Sequence, residues 1–397
     1  MADLSHNSSI GVTIETTPGT FNAPNTTTDL LQAADLKVQI NGITVKVNEY
    51  TGTIHKPGPA VLGRTIDVTM KLYLRGPGGS TVPSAGAFVL GRVLRAAAFT
   101  EVVQSTAIPV APEALGAGTT TQATLGVTAA ATQDLYKGLM VALYGLGATL
   151  PKNLTMIRSY SAAKIAVLAE VAATALATTN YQLPKQLAYQ LSPSSAVPTL
   201  SLCVWQGTRR YDCSGMAVSS FKINLPTSSR SNAVLPSIDV TMSGSLVQDA
   251  DDTAPILAPG LAISPFRDGK LWVAGVAMGG ASLDINFGAT VAYPPDPNKS
   301  DGNAPAQMAS TERAASLTLN QVLKATQDFF TIANGQANQP IMAMYGSGTG
   351  NFFGVIVTDA RFNFRSPDAS GEFIFNTGDA FIDGYSRDIS LCIPFYP

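Results

Sequence analysis

Two histidines, three cysteines and a few clustered acids are the side chains of this 397-residue sequence that are equipped for chemistry beyond packing. His6 lies in a Thr- and Pro-rich N-terminal stretch and His55 in a Pro- and Gly-rich excursion, neither beside a recognisable nucleophile. No G-x-S-x-G, H-E-x-x-H or G-x-x-x-x-G-K-[ST] pattern occurs, so hydrolysis and P-loop chemistry are not expected. Cys203, Cys213 and Cys392 are too few and too scattered for a disulfide framework or a zinc site. Cys203 and Cys213 flank a predicted turn, which would set them across a hairpin; both are expected to be reduced. The acids of "DADD", residues 249–252, lack the spaced ligands and glycine of a calcium loop and read as a solvated linker. "GSGTGNFFG", residues 346–354, lies between two predicted strands, where a hairpin turn is the economical reading rather than a phosphate cradle. A carbohydrate-active enzyme would need paired carboxylates in a cleft, and the remaining acids are scattered along strands. These readings predict no enzyme, no metal and no cofactor.

Only 13% of residues are charged, against roughly 25% in ordinary soluble domains. A surface so poor in charge is expected to be covered, and the abundance of β-branched and turn-forming residues makes other protein the covering. A net charge of -2 supplies no basic footprint for gripping phosphates. "MADLSHNSSIGV" has no basic segment followed by an apolar one, and the apolar run at residues 161–179 is interrupted by Lys164 and Glu170. Synthesis in the cytoplasm without membrane insertion is the expectation.

The elements that would position any site are mostly strands. In "RTIDVTMKLYLRG", Ile66, Val68, Met70, Leu72 and Leu74 share one face while Thr65, Asp67, Thr69 and Lys71 share the other. The sequence Ile-Asp-Val-Thr-Met returns at residues 238–242, again with an apolar face (Ile238, Val240, Met242, Leu246) and a polar one (Ser237, Asp239, Thr241, Ser243). Residues 1–30 read as an extended arm. "DLKVQINGITVKV" reads as a hairpin about Asn41-Gly42. Residues 48–64 are a long loop, and "AFVLGRVLRAAAFTE" has apolar residues at helical spacing. Residues 108–195 are Ala- and Thr-rich and read as an inserted small β module, with the run from residue 161 open to a helical reading because Ala and Leu favour helix.

After a linker at 251–269 the same order recurs: a strand pair in "ASLDINFGATV", a long loop at 292–312, a strand in "RAASLTLNQVL", a helix in "KATQDFFTIANG", then a strand meander. Two half-chains, 31–250 and 270–397, thus share one plan. The two literal copies of IDVTM are not equivalent positions in it: the first matches "SLTLNQVL", the second "EFIFNTGDAF", and both belong to one two-faced sheet.

"ETTPGTFNAP", "GRTIDVTMKLYLRG" with "FVLGRVLRAAAFTE", "PTLSLCVWQGTRRYDCSGMAVSSFKINL" and "GNFFGVIVTDARFNF" with "GEFIFNTGDAFIDG" and "RDISLCIPF" together resemble the major tail tube proteins of long, flexible-tailed bacteriophages. The resemblance is one of pattern and element order, and it covers the inserted module least. It implies a mainly β fold of two tandem tail-tube domains of β-sandwich type that form a barrel together, each with one short helix, and places the insertion on the outer surface. It implies a virion structural protein whose rings stack into the hollow tail through which DNA is ejected into the host. Partners would be further copies of itself, the tape-measure, tail-tip and tail-terminator proteins, and non-specifically the passing DNA. With two domains per chain, a trimeric ring of pseudo-sixfold symmetry is expected, a hexamer being the alternative. Thr65, Asp67, Thr69, Lys71, Ser237, Asp239, Thr241 and Ser243, joined by Glu372 and Asn376, would line the channel. The loops carrying Glu49, Tyr50, His55, Lys56 and Pro57, and Pro295, Asp296, Lys299 and Asp301, would reach the next ring. A head, decoration or adhesive surface protein, equally β-rich and without catalytic residues, is the competing expectation.

Overall fold

The computed structural model describes residues 8–46, 58–145, 153–176, 179–192, 194, 196–228, 233–257, 260–267, 269–278, 282–298, 304–318, 337–364, 378–382 and 387–395. The fold is mainly β, with one helix among the described residues. The chain begins with β1 (Ser8–Ile14), β2 (Leu30–Leu31), β3 (Ala34–Val45) and β4 (Ala60–Tyr73), followed by α1 (Val89–Ala96) and β5 (Phe99–Gln104). A separate seven-stranded sheet follows: β6 (Ile108–Ala114), β7 (Ala117–Gly118), β8 (Gln122–Thr124), β9 (Met140–Tyr144), β10 (Asn153–Tyr160), β11 (Ile165–Leu168) and β12 (Asn180–Leu183). The main sheet resumes with β13 (Lys185–Leu191), β14 (Leu200–Gln206), β15 (Arg209–Leu225) and β16 (Ser237–Asp251). It continues through β17 (Lys270–Val273), β18 (Val276–Ala277), β19 (Ser282–Ala292), β20 (Gln307–Thr318), β21 (Gln339–Gly346), β22 (Phe352–Phe364), β23 (Gly378–Ile382) and β24 (Ile389–Phe395).

One series of antiparallel pairings occurs twice. The first is β2–β1–β14–β15–β16–β4–β3. The second is β18–β17–β21–β22–β23–β20–β19. The two series meet at β15: its first half lies against β14, whereas Ser220–Leu225 pair with Gly288–Leu283 of β19. Three register shifts against β16, and Gly215 with φ +60°, bend β15 so that it serves both neighbours. The result is a run of eight strands, β3–β4–β16–β15–β19–β20–β23–β22. The two IDVTM segments lie side by side in it, antiparallel about Thr69 opposite Thr241.

One hydrophobic core spans both halves. Ile66, Val68, Met70, Ile238, Val240 and Met242 enter it from the run of eight strands, Leu90, Val93 and Leu94 from α1, and Tyr345, Phe353 and Val355 from the second half. The halves also exchange strands: β24 pairs with β13, which pairs with β5, so two strands from before residue 195 extend the sheet of the C-terminal half. Only β6–β12 form the inserted module, which therefore ends before residue 185, and the run from 161 holds β11 rather than a helix. The module packs on the C-terminal half: Met140, Met156 and Ile157 share a second core with Met342, Met344, Ile356 and Cys392. Polar anchors hold the same contact: Lys137 with Asp388 at 2.8 Å, Arg158 with Asp359 at 3.1 Å and Lys270 with Glu170 at 3.1 Å.

Three expectations are corrected. The N-terminal arm contains β1, whose Ile10 and Val12 are fully buried, because it pairs along its whole length with β14. Behind it, the buried Glu15 carboxylate accepts the Gly19 and Gly215 N–H groups at 2.6 and 2.7 Å and the Thr199 and Ser201 hydroxyls at 2.6 and 2.9 Å. Asn41-Gly42 is not a turn: β3 runs straight through it, since pairing with β4 uses backbone on both sides of the dipeptide. The acids at 249–252 are solvated, but Asp249 and Asp251 close β16 rather than lying in a linker. Asp249 and Asp251 pair with Arg209, and Asp252 with Arg210, as β16 ends beside the start of β15. The helix predicted in "KATQDFFTIANG" lies outside the described residues.

Candidate functional site

Strand alternation gives β3, β4, β16, the second half of β15 and the start of β19 one apolar face, turned to the core, and one polar face. On the polar face the residues stand in rows across the strands. One row is Lys37, Thr69, Thr241 and Ser220; the next is Lys71, Asp239, Lys222 and Asn286; the next is Tyr73, Ser237, Asn224 and Asp284. Gln39, Asp67 and Ser243 form a fourth. Cross-strand partners on one face sit close enough to interact, and here they do.

Asn41 Nδ2 donates to Asp67 Oδ2 at 2.7 Å and Ser243 Oγ to Asp67 Oδ1 at 2.5 Å. The Thr69 and Thr241 hydroxyls are 3.3 Å apart. Asn224 Nδ2 donates to Asp239 Oδ2 at 2.7 Å, and Lys222 Nζ lies 3.4 Å from Asp284 Oδ2 across the β15–β19 junction. Lys71 lies over the Tyr73 ring, 5.9 Å from its centroid. Each of these acids is thus matched by a donor on a neighbouring strand. The face has hydroxyls, amides and alternating charge where a phosphate-gripping surface has a basic stripe.

Thr65, Asp67, Thr69, Lys71, Asp239, Thr241 and Ser243 lie together on this face, half-buried or exposed. Ser237 shares the register but is only 2% exposed, so it is not available to anything passing over the sheet. Tyr293 is hydrogen-bonded with Ser243 at the same place, and its hydroxyl is held above the ordinary phenol range chiefly by burial. Glu372 and Asn376 lie outside the described residues, as do Glu49, Tyr50, His55, Lys56, Pro57, Lys299 and Asp301. Pro295 is exposed. Asp296 accepts the Asn298 N–H at 2.9 Å in a local turn. The described ends of that loop fold back on their own chain: the Ala304 N–H donates to Pro294 O at 2.7 Å, and Pro305 lies against Gly19.

Sequence reasoning missed Lys37, Asn41, Lys222, Asn224 and Asp284. Their signal was the alternation of "DLKVQINGITV", "SSFKINL" and "SLDINFG", which marks a polar face but not which strand shares it.

Elsewhere the cysteines are packed into the interior. Cys203 and Cys213 sit on opposite faces of the β14–β15 pair, the first donating to Asp212 at 3.1 Å and the second in the main core. All three cysteines are free and buried, and burial raises each thiol above its ordinary value. Gly346, Gly348 and Gly350 have positive φ in the turn joining β21 to β22, a conformation glycine adopts without strain. Among the described residues there is no cluster of three metal-ligating side chains, and no helix long and apolar enough to cross a membrane. No protein-family model matches the chain, and no curated protein matches it either.

Proposed function

We propose that this chain is the tube-forming subunit of a long, flexible bacteriophage tail. Copies join side by side into a ring, rings stack, and the polar face of the run of eight strands lines the channel through which DNA leaves. The observation that carries this reading is the run itself: two four-stranded sets of like pairing order, β3–β4–β16–β15 and β19–β20–β23–β22, joined edge to edge within one chain. A sheet already built by joining like sets along their edges extends by further joins, and closure into a barrel removes the exposed edges. Three chains would supply six sets, giving a trimer with pseudo-sixfold symmetry.

The chemistry of the face supports the same role. Thr69, Thr241, the amides and acid–donor pairs such as Asp67 with Asn41 offer short polar contacts without a run of free cations, so a polyanion slides rather than sticks. The inserted module packs on the side of β21, β22 and β24 that faces away from the main core, as a decoration on the outside of a tube would. Tape-measure, tip and terminator proteins are the partners this role requires.

Electron microscopy of the native particle, with end-on averages of the tail scored for rotational symmetry, tests it. Stacked hollow rings with threefold protrusions are expected. Six equivalent protrusions would keep the tube and overturn the trimer; labelling of this chain on the head or fibre tips would overturn the function.

A further inference from the structure

At the end of β4, where the chain leaves the sheet, lies a cavity of about 660 Å³, within the range of small-molecule sites. It is enclosed by the residues after β4, by β2, by the start of α1 and by the segment that follows β16. Leu30, Leu31, Tyr73, Phe88, Val89 and Leu257 give it apolar walls. Ile256 and Leu261 also line it and are 97% and 43% exposed. Single apolar side chains on a surface are ordinary, but two beside one apolar cavity point to a ligand.

The cavity has a cation and no counter-charge. Arg75 lines it, and none of the lining residues is an acid. The Nε of Arg75 is buried and has no hydrogen-bond partner among the described residues. α1 starts here with no side-chain cap and no acid in its first turn, so the helix supplies no acceptor either. A buried donor on a charged group is costly to leave unmade, and the acceptor that fits a guanidinium is a carboxylate or a similar planar anion. The walls are fixed without a ligand. Gly76 N–H donates to Asn351 Oδ1 at 3.0 Å and Gly78 N–H to Gly350 O at 3.1 Å, while Asn351 Nδ2 donates to Ala262 O at 3.1 Å, so one asparagine ties the segment after β4 to the segment after β16. A Cβ at Gly76 would lie 1.8 Å from Gly350 O, and only glycine lets the chain approach that closely.

We propose that this cavity binds a small amphipathic monoanion, with an apolar body against Leu30, Leu31 and Phe88 and one carboxylate on Arg75. The walls supply the affinity and Arg75 selects the charge. The inference does not rest on the tube reading, and either can fail without the other.

Fluorescence titration of the full chain tests it with two probes of one shape, anilinonaphthalenesulfonate, which carries an anion, and phenylnaphthylamine, which lacks it. The anionic probe should bind saturably and more tightly than the neutral one, and octanoate should displace it better than octanol does. Arg75→Met should weaken the anionic probe about tenfold or more, the worth of a hydrogen bond between charged groups, and leave the neutral probe unchanged. Leu261→Glu, at an exposed position, should weaken the anionic probe more than the neutral one by repulsion, and it decides the matter if Arg75→Met does not fold. Val110→Glu, 78% exposed on the inserted module, adds the same charge elsewhere and should change neither probe. Equal binding of the two probes, failure of octanoate to displace, anionic binding that survives both cavity substitutions, or an equal loss in the Val110→Glu control overturns the proposal.

Discussion

Replacing Glu15 with alanine tests how the N-terminal strand is locked into the fold. The side chain is buried, and its two oxygens accept four hydrogen bonds from three separate parts of the chain: Gly19, the Thr199–Ser201 segment and Gly215 at the bend of β15. In Glu15→Ala the two hydroxyls can turn to other acceptors, but the Gly19 and Gly215 N–H groups cannot. At about 1–3 kcal/mol for each buried donor left without a partner, those two account for about 2–6 kcal/mol. Relief from burying a carboxylate offsets part of this, so a loss of about 4 kcal/mol is expected, against about 2 kcal/mol for Glu15→Gln, which keeps the shape and one carbonyl oxygen. The assay is urea unfolding followed by the fluorescence of Trp205, which packs against Phe21 just beyond this site. A Glu15→Ala midpoint within about 1 kcal/mol of wild type, or a glutamine variant as unstable as the alanine one, would refute the hydrogen-bond argument.

Three further outcomes are expected. A Cβ at Gly91 in α1 would come within 1.9 Å of the Tyr189 hydroxyl, which is itself held by Glu101 at 2.8 Å, so Gly91→Ala should destabilise by about 2 kcal/mol despite alanine's better helix propensity, as thermal unfolding would show. Lys137→Met strands Asp388, whose side chain is 2% exposed, and should cost about 3 kcal/mol in chemical unfolding, while Lys137→Met with Asp388→Leu should recover much of that loss. Burial pushes the Cys392 thiol up to about 12, and the Tyr160 and Tyr181 hydroxyls, also raised chiefly by burial, to about 12. These groups must stay protonated to remain folded, so stability should be full below their ordinary values near 9 and 10 and fall as the pH climbs toward 12. Melting curves across that range check it, and a stability that held constant would overturn it.

Much of the strand content was legible because alternation depends only on the residues of one strand. Thr65 to Leu74 declared their two faces without any neighbour, and the helix at Val89–Ala96 declared itself by spacing alone. Asn41-Gly42 failed as a turn signal because a local preference of about 1 kcal/mol yields to pairing along the whole of β3. Ser8–Ile14 were misread as an arm because the flanking Thr, Pro and Asn residues outweigh, in composition, one short strand whose partner lies near residue 200.

Of the candidate site, the sequence by itself determined which side chains of each strand share a face, and hence that Asp67, Thr69, Asp239 and Thr241 avoid the core. Only the tertiary structure decided that those residues form rows with Lys222, Asn224 and Asp284, that Ser237 is covered, and that the inserted module rests on the C-terminal half. The physical reason is the range of the forces involved. Which way a side chain points is settled by its own backbone, whereas which strand lies beside which is settled by burial and pairing between segments far apart in the sequence.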